Sequence, residues 1–337
     1  MLIIVDAMGG DNAPEAVVNG CIDAINERQG YDILLIGDSE RINKIFKERK
    51  FDSPRVSIHH TTEVVTNEDS PTKAIKNKKD SSMVVGFKML KEGKGDVFVS
   101  AGNTGALLAG ALLILGRIKG VDRPALAPII PTKKGLVLLL DAGANTLCKP
   151  INYLQFGIMG SKYMKDVLNM DNPKVGLINV GSEEKKGNEI IKQAFEMLSK
   201  SGVNFYGNVE AHQVIDGAVD IAVCDGFVGN VFLKAVEGIA EFFIGELKSI
   251  FKRNFLSMLS AILIKDGLKG LKKKTDTSEY GSVPFLGVNG KVMKTHGRSD
   301  AKAIKHSVFN AYVYAKSNII EEIREEFKNM EVEDIEQ

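Results

Sequence analysis

Apolar residues fall in short runs separated by stretches of helical spacing. Continuous apolar or β-branched runs predict strands at Leu2–Val5, Ile33–Ile36, Val56–His59, Val97–Ser100, Leu136–Leu140, Val175–Val180 and Ile221–Cys224. Several lack any polar alternation, as expected of strands covered on both faces. Between them the spacing predicts helices over Pro14–Glu27, Arg41–Glu48, Ser81–Glu92, Gly105–Arg117, Tyr153–Leu168, Gly187–Leu198 and Gly229–Ile250. Strand-helix alternation of this kind predicts an α/β fold: a three-layer, doubly wound, mainly parallel sheet with helices on both faces, in one domain over residues 1–337.

The pattern changes over residues 245–285. Phe251, Phe255, Met258, Leu259 and Ile262 share one helical face, with Leu256 and Leu263 at its margin, while Arg253, Asn254, Ser257 and Ser260 lie opposite. Lys265, Lys269 and Lys272, Lys273 and Lys274 follow. This segment is expected to protrude from the sheet domain as an amphipathic helical insertion. An apolar stripe of this kind serves a dimer or core contact, or lies on a membrane with the lysines meeting anionic headgroups. The sequence leaves both readings open. The acidic end, Glu331 to Gln337, is expected to fray.

Composition narrows the function classes. Over 337 residues, 44 Lys and Arg balance 43 Asp and Glu, so there is no global positive field to suit a nucleic-acid binder. Cys21, Cys148 and Cys224 are too scattered for a disulfide framework and fit a reducing compartment. The start, Met-Leu-Ile-Ile-Val-Asp, enters a strand at once and has no basic leader. The longest apolar run, Ala106–Leu115, falls short of the roughly 20 residues of a membrane span. The expected address is cytoplasmic.

Most strands are followed by a glycine-rich polar turn: Asp6-Ala-Met-Gly-Gly-Asp11, Ser100-Ala-Gly-Asn-Thr-Gly105, Asp141-Ala-Gly-Ala-Asn145, Gly181-Ser-Glu-Glu-Lys-Lys-Gly-Asn188 and Asp225-Gly-Phe-Val-Gly-Asn230. In a parallel sheet these turns share the carboxyl edge, where open α/β folds bind ligands. Plain helix capping is the competing reading for each of them. Gly102, Asn103, Thr104 and Gly105 open a helix whose free amides suit a phosphate or carboxylate. Lys186, with Lys185 beside it, suits a phosphate or a developing oxyanion; a solvated charge run is the alternative. Asp225 and Asn230 are candidates to orient or deprotonate an attacking group. Cys224 is set aside as a nucleophile because no histidine partner is evident. His296, in Lys294-Thr-His-Gly-Arg298, is a candidate acid-base or anion-binding residue or part of a capped turn. The histidines show no metal-ligand spacing, so no metal is expected. Lys73, Lys76, Lys78 and Lys79 form one basic stretch and Arg117, Lys119 and Arg123 another; each is a solvated face or a surface for an acidic partner.

Taken in order, Val5-Asp-Ala-Met-Gly-Gly-Asp11, Ser100-Ala-Gly-Asn-Thr-Gly-Ala106, Gly116-Arg-Ile-Lys-Gly120, Asp122-Arg-Pro-Ala-Leu-Ala-Pro128, Asp141-Ala-Gly-Ala-Asn145, Lys185-Lys-Gly-Asn-Glu189, Gly207-Asn-Val-Glu210, Asp225-Gly-Phe-Val-Gly-Asn230 and His296-Gly with Ser299-Asp300 resemble the PlsX family, phosphate acyltransferases of bacterial phospholipid synthesis. The resemblance covers nearly the whole chain and is weakest over residues 38–55 and 245–285. It implies a fold similar to the phosphotransacetylases and the isocitrate and isopropylmalate dehydrogenases. It implies transfer of a fatty acyl group from acyl carrier protein to inorganic phosphate, with no cofactor. It also implies a homodimer, peripheral membrane association, and a product passed to a membrane-bound glycerol-3-phosphate acyltransferase. On that reading the Gly102–Gly105 turn seats phosphate. Lys186 or Lys185 neutralises charge, Asp225 and Asn230 orient the reacting groups, and Asp6, Asp11, Asn145, Asn188 and His296 shape the edge. Phe255, Met258, Leu259 and Ile262 face the membrane. The rivals are a coenzyme A-dependent phosphotransacetylase, a dehydrogenase of the related fold, and a non-catalytic membrane scaffold.

Overall fold

The computed structural model describes residues 1–268, 270 and 281–336, without the side chains of Leu259, Ala261, Ile262 and residues 329–336. Lys269, Lys272, Lys273 and Lys274, and the side chains of Leu259 and Ile262, lie outside the described residues. The first half of the chain runs β1 (Leu2–Asp6), α1 (Glu15–Glu27), β2 (Asp32–Gly37), α2 (Ser39–Glu48), β3 (Val56–His60), α3 (Pro71–Asn77), α4 (Ser82–Lys91), β4 (Val97–Ser100), α5 (Thr104–Gly110), β5 (Ala125–Leu126), β6 (Ile129–Pro131), β7 (Leu136–Leu140) and α6 (Pro150–Asp166). It continues β8 (Val175–Ile178), α7 (Glu189–Lys200), β9 (Phe205–Val209), α8 (Ala211–Ile215), β10 (Ile221–Val223), α9 (Gly226–Lys252), α10 (Phe255–Leu263), β11 (Ser282–Leu286), β12 (Val292–Thr295), α11 (Ala301–Lys316) and α12 (Ile319–Glu336).

The α/β, mainly parallel architecture is present, but it is divided between two sheets. Seven strands are ordered β3-β2-β1-β4-β12-β11-β5 and five are ordered β6-β7-β10-β8-β9. Among the described strands, β11 pairs antiparallel with β12 and β5, and β6 with β7. The break falls between β5 and β6, where Pro124, Pro128 and Pro131 crowd the chain. Proline cannot donate to a ladder, so it ends one sheet and opens the next at an edge.

One core cluster crosses the break. Ile3, Val5 and Val99 of the first sheet share it with Leu138, Val175 and Ile221 of the second, under helices α1, α6, α7 and α11. The opposite face of the first sheet packs Ile4, Phe98 and Val292 on α4 and α5. A smaller cluster, with Val137, Leu139, Val209 and Ala222, covers the second sheet near α8 and the start of α9.

Strands β5, β6, β9, β11 and β12 have no counterpart in the sequence-based prediction. β5 and β6 are short, β11 and β12 belong to a hairpin following the lysine-rich segment, and β9 has the mixed sequence Phe-Tyr-Gly-Asn-Val with no continuous apolar run. The helix expected to begin at Gly229 begins three residues earlier, directly behind Asp225. The acidic tail expected to fray continues α12 to Glu336. The segment expected to protrude is the end of α9 followed by α10. Its Phe255 and Leu256 are 72% and 74% exposed, and Phe242, Phe243, Met258 and Leu263 are also exposed.

Gly229 marks the tightest approach of α9 to the second sheet, since a Cβ there would overlap the carbonyl oxygen of Asp141. Overpacking of this kind typically costs about 1–3 kcal/mol. Gly229→Ala is therefore expected to lower the unfolding free energy by about that amount in urea titration; an unchanged midpoint would contradict this packing.

Candidate active site

Strand parity builds the first part of the site. Ile4, Phe98 and Val292 point to one face of the first sheet. Their strands carry Asp6, Ser100 and Lys294 two residues later, on the same face at the carboxyl edge. β4 lies between the other two strands, with Lys294 in register with Ser100. The Ser100 hydroxyl donates to Asp6 Oδ2 at 2.7 Å, the Met8 amide donates to Asp6 Oδ1 at 3.1 Å, and the Gly102 amide donates to Ser100 Oγ at 3.0 Å. Asp6 is 2% exposed, and burial pushes its carboxyl group above the usual range against the pull of these donors. A Cβ on Gly9 would strike Asp6 Oδ2 and the Gly102 nitrogen, so only glycine lets these two turns meet.

The turn after β12 completes the group. The Asp11 amide donates to the Gly297 carbonyl at 2.8 Å, and Asn12 Nδ2 donates to the Arg298 and Ser299 carbonyls at 3.2 Å. The turns carrying Asp6, Asp11, Gly102 and His296 are thus brought together. Asp6 and Gly102 serve as frame, because the Asp6 carboxylate and the Gly102 amide are spent within the protein. Asn103 is also partly committed: its Oδ1 accepts the Ala106 amide at 2.9 Å and caps α5. Thr104 and Gly105 open that helix, where first-turn amides lack intrahelical acceptors.

Asp141 holds the second edge. It is fully buried. Its Oδ1 accepts the Leu126 amide of β5 at 2.9 Å and the Ala144 amide at 3.2 Å; its Oδ2 accepts the Asn145 amide at 2.6 Å and Asn145 Nδ2 at 3.0 Å. Asn145 Nδ2 also donates to the Pro124 carbonyl at 2.7 Å, and the Asn145 carbonyl accepts the Gly226 amide at 2.7 Å. Asn145 therefore joins the two sheets at the root of α9. Asp225 caps α9 by accepting the Phe227 and Val228 amides at 2.9 Å, which leaves Oδ2 to the Tyr153 hydroxyl at 3.3 Å. Asn230 is exposed and stands beside Gly143. Cys224 is buried, and burial drives its thiol well above the usual range, which suits an inert side chain.

Helix α9 links the two edges. Asn230, Lys234 and Glu237 share one of its faces. Lys234 Nζ pairs with Glu237 at 2.6 Å, and its charge reaches both Lys294 and His296 of the first sheet. His296 Nδ1 accepts the Arg298 amide at 3.2 Å, which leaves Nε2 to carry the proton of the neutral ring. Partial desolvation, and then the Lys234 charge, hold its pKa below the usual imidazole value. Lys234 and Lys294 were not singled out from the sequence. The signal was a lysine two residues before His296 at an apolar-patterned position.

Lys185, Lys186 and Asn188 lie on the turn that follows β8, the strand beside β10, and thus on the carboxyl edge of the second sheet. Lys186 is half-exposed beside Glu183 at 3.8 Å. The Glu183 carbonyl accepts from Asn208 and the Lys186 carbonyl from Asn179. Asn188 caps α7 by accepting the Ile191 amide at 3.0 Å. Lys185 borders a surface cavity of about 450 Å³ with Lys192 and Phe195 on α7. Among the described residues no group of three His, Cys, Asp or Glu side chains could hold a metal ion.

A family model described as "Fatty acid synthesis protein" matches residues 1–322. A phosphate acyltransferase of Acetivibrio thermocellus is 58% identical over 337 residues, covering 100% of this chain and 99% of that protein. The chain belongs to the phosphate acyltransferase family. A second phosphate acyltransferase, of Clostridioides difficile, is 49% identical and covers 96% of each chain. In fold, the chain is similar to a phosphotransacetylase from Streptococcus pyogenes (TM-score 0.61, 14% identity, 94% of each chain). It is also similar to a branched-chain phosphotransacylase from Enterococcus faecalis (TM-score 0.58, 14% identity, 94% of this chain and 100% of that one).

The first edge carries a costly charge. Lys294 is 8% exposed, and its ammonium donates to the Thr295 carbonyl. Burial draws its pKa from 10.5 down to about 8, equivalent to a cost on the order of 3 kcal/mol. At pH 7 the group is charged in the folded and the unfolded chain, so that cost is fully present. It fades as pH rises from about 8 towards 10.5, because the folded chain sheds its proton first. Lys294→Met is expected to raise the unfolding free energy at pH 7, without phosphate, by roughly 1–3 kcal/mol; lower stability in denaturant titration would contradict this.

Proposed function

We propose that this enzyme transfers a long-chain acyl group from acyl carrier protein to inorganic phosphate. The acyl phosphate formed would supply a membrane-bound enzyme that acylates glycerol-3-phosphate. The observation that carries this reading is the convergence of the Gly9, Gly102 and Gly297 turns at one edge, with α9 bringing Lys234 of the second edge to them. A phosphate oxygen attacks the thioester carbonyl carbon, the tetrahedral oxyanion collapses, and the thiolate leaves and takes up a proton. Phosphate is already a nucleophile, so the protein's task is to hold it near the carbonyl and stabilise the oxyanion.

In this reading the Thr104 and Gly105 amides seat phosphate, and Asn103 orients the turn. Lys186, seconded by Lys185, neutralises the oxyanion. The free side chain of Asn230 and Asp225 Oδ2 orient the reacting groups. Lys73, Lys76 and Lys79 are exposed and suit an acidic carrier protein, whereas Lys78 is spent on Asp69 at 2.6 Å. The exposed apolar face of α9, with Phe242 and Phe243, suits a homodimer. Phe255, Leu256 and Met258 suit a membrane surface. No helix among the described residues is long and apolar enough to cross a membrane.

Incubation of long-chain acyl carrier protein and acyl coenzyme A, side by side, with labelled phosphate tests the donor. Faster acyl phosphate formation from the carrier protein is expected; preference for coenzyme A would make the enzyme a phosphotransacetylase. Lys186→Ala is expected to lower turnover by about a hundredfold, and unchanged acyl phosphate formation by the folded variant would refute its role. Phe255→Glu is expected to release the enzyme from anionic vesicles while leaving turnover in solution within about twofold. Retained vesicle binding would assign the apolar tip to another contact.

A further inference from the structure

We propose that Lys294, seconded by Lys234 and the Nε2–H of His296, holds the attacking phosphate as its dianion at the carboxyl edge of β12. The proposal rests on the reading that phosphate is the acyl acceptor, and it assigns that substrate's main charge partners to residues outside the glycine turns.

Four observations converge on it. Lys294 lies beside Ser100 on the sheet face covered by α4 and α5. Its ammonium has three protons, and the Thr295 carbonyl is its one hydrogen-bond partner among the described residues. No described carboxylate lies within ion-pair distance of it. The acids that act on it are Asp11, across the Gly297 turn, and the buried Asp6, which is engaged by Ser100 and Met8.

A buried ammonium without an ion-pair partner is rare, because desolvation is then uncompensated. Besides Asp11 and Asp6, α9 brings a second cation towards it, Lys234, whose own ion pair is with Glu237 at 2.6 Å, and His296 presents a neutral N–H. The ammonium of Lys294, with no ion-pair partner among the described residues, the Glu237-paired ammonium of Lys234 and an imidazole donor make a site for a compact anion of charge near −2. Phosphate near neutral pH meets that description, and a bound dianion offsets the desolvation of Lys294. A point charge on a flexible stem suits a small mobile nucleophile better than a bidentate arginine clamp, since phosphate must keep one oxygen directed at the carbonyl carbon.

The test measures phosphate binding separately from the reaction. The melting temperature of wild type, Lys294→Met, Lys294→Arg and Lys234→Met is followed against inorganic phosphate, with no acyl donor present. The KM values for phosphate and for the acyl donor are then determined. The phosphate-induced rise in melting temperature is expected to vanish in Lys294→Met. Its phosphate KM is expected to increase at least about tenfold while the acyl-donor KM stays within about twofold. Lys294→Arg is expected to recover part of the effect, and Lys234→Met to show a loss of about threefold or more. A Lys294→Met enzyme that keeps its phosphate KM and its melting response would overturn the assignment, as would a loss confined to kcat. If Lys294→Met does not fold, Lys234→Met on the half-exposed face of α9 decides, and an unchanged phosphate KM there overturns it. If wild type makes no acyl phosphate yet loses its phosphate response on Lys294→Met, the anion site stands and the proposed reaction falls.

Discussion

The buried carboxylate of Asp141 accepts four donors that belong to different parts of the chain. Leu126 is in the first sheet, Ala144 and Asn145 form the turn behind β7, and Asn145 in turn anchors Gly226 at the root of α9. A carboxylate with that many donors fixes them relative to one another, and removing it would leave several buried amides without acceptors. The direction of α9 depends on this knot, and so does the position of Lys234 two turns later. One buried acid thus sets how the root of α9 sits against both sheets.

The first edge uses the same economy. Asp6 and Ser100 bind each other and the Gly102 amide, so the groups that look most reactive in sequence are framework. What this framework supports is a buried lysine with no ion-pair partner among the described residues, beside a neutral histidine and a Glu237-paired lysine from the helix of the other sheet. The arrangement costs stability at Lys294, as is common where a site must be ready for a charge that arrives with the substrate.

The sequence made the α/β class legible because the central strands β1, β2, β4, β7, β8 and β10 are continuous apolar runs. It did not show that the sheet is divided, because β5 and β6 are two and three residues long and set among prolines. The glycine turns were recognised as an edge, but their polar residues could not be sorted into caps and free groups. Asp225, Asn103 and Asn188 all cap helices, and only tertiary contacts reveal which atoms remain available. Lys294 escaped notice because it sits inside a four-residue strand that was itself missed, and a lysine there reads as a solvated end. Lys234 was hidden for a different reason. On a long helix with an apolar exposed face, one cation carries no signal until the helix direction is known.

The central claim is that the glycine turns and α9 form one anion site, and a crystal structure of the enzyme with bound phosphate tests it most directly. The account predicts the anion between the Thr104 and Gly105 amides and the ammonium groups of Lys294 and Lys234, with His296 Nε2 within hydrogen-bond reach. Phosphate bound instead at the Glu183–Lys186 loop, with the β12 edge filled by water, would contradict it.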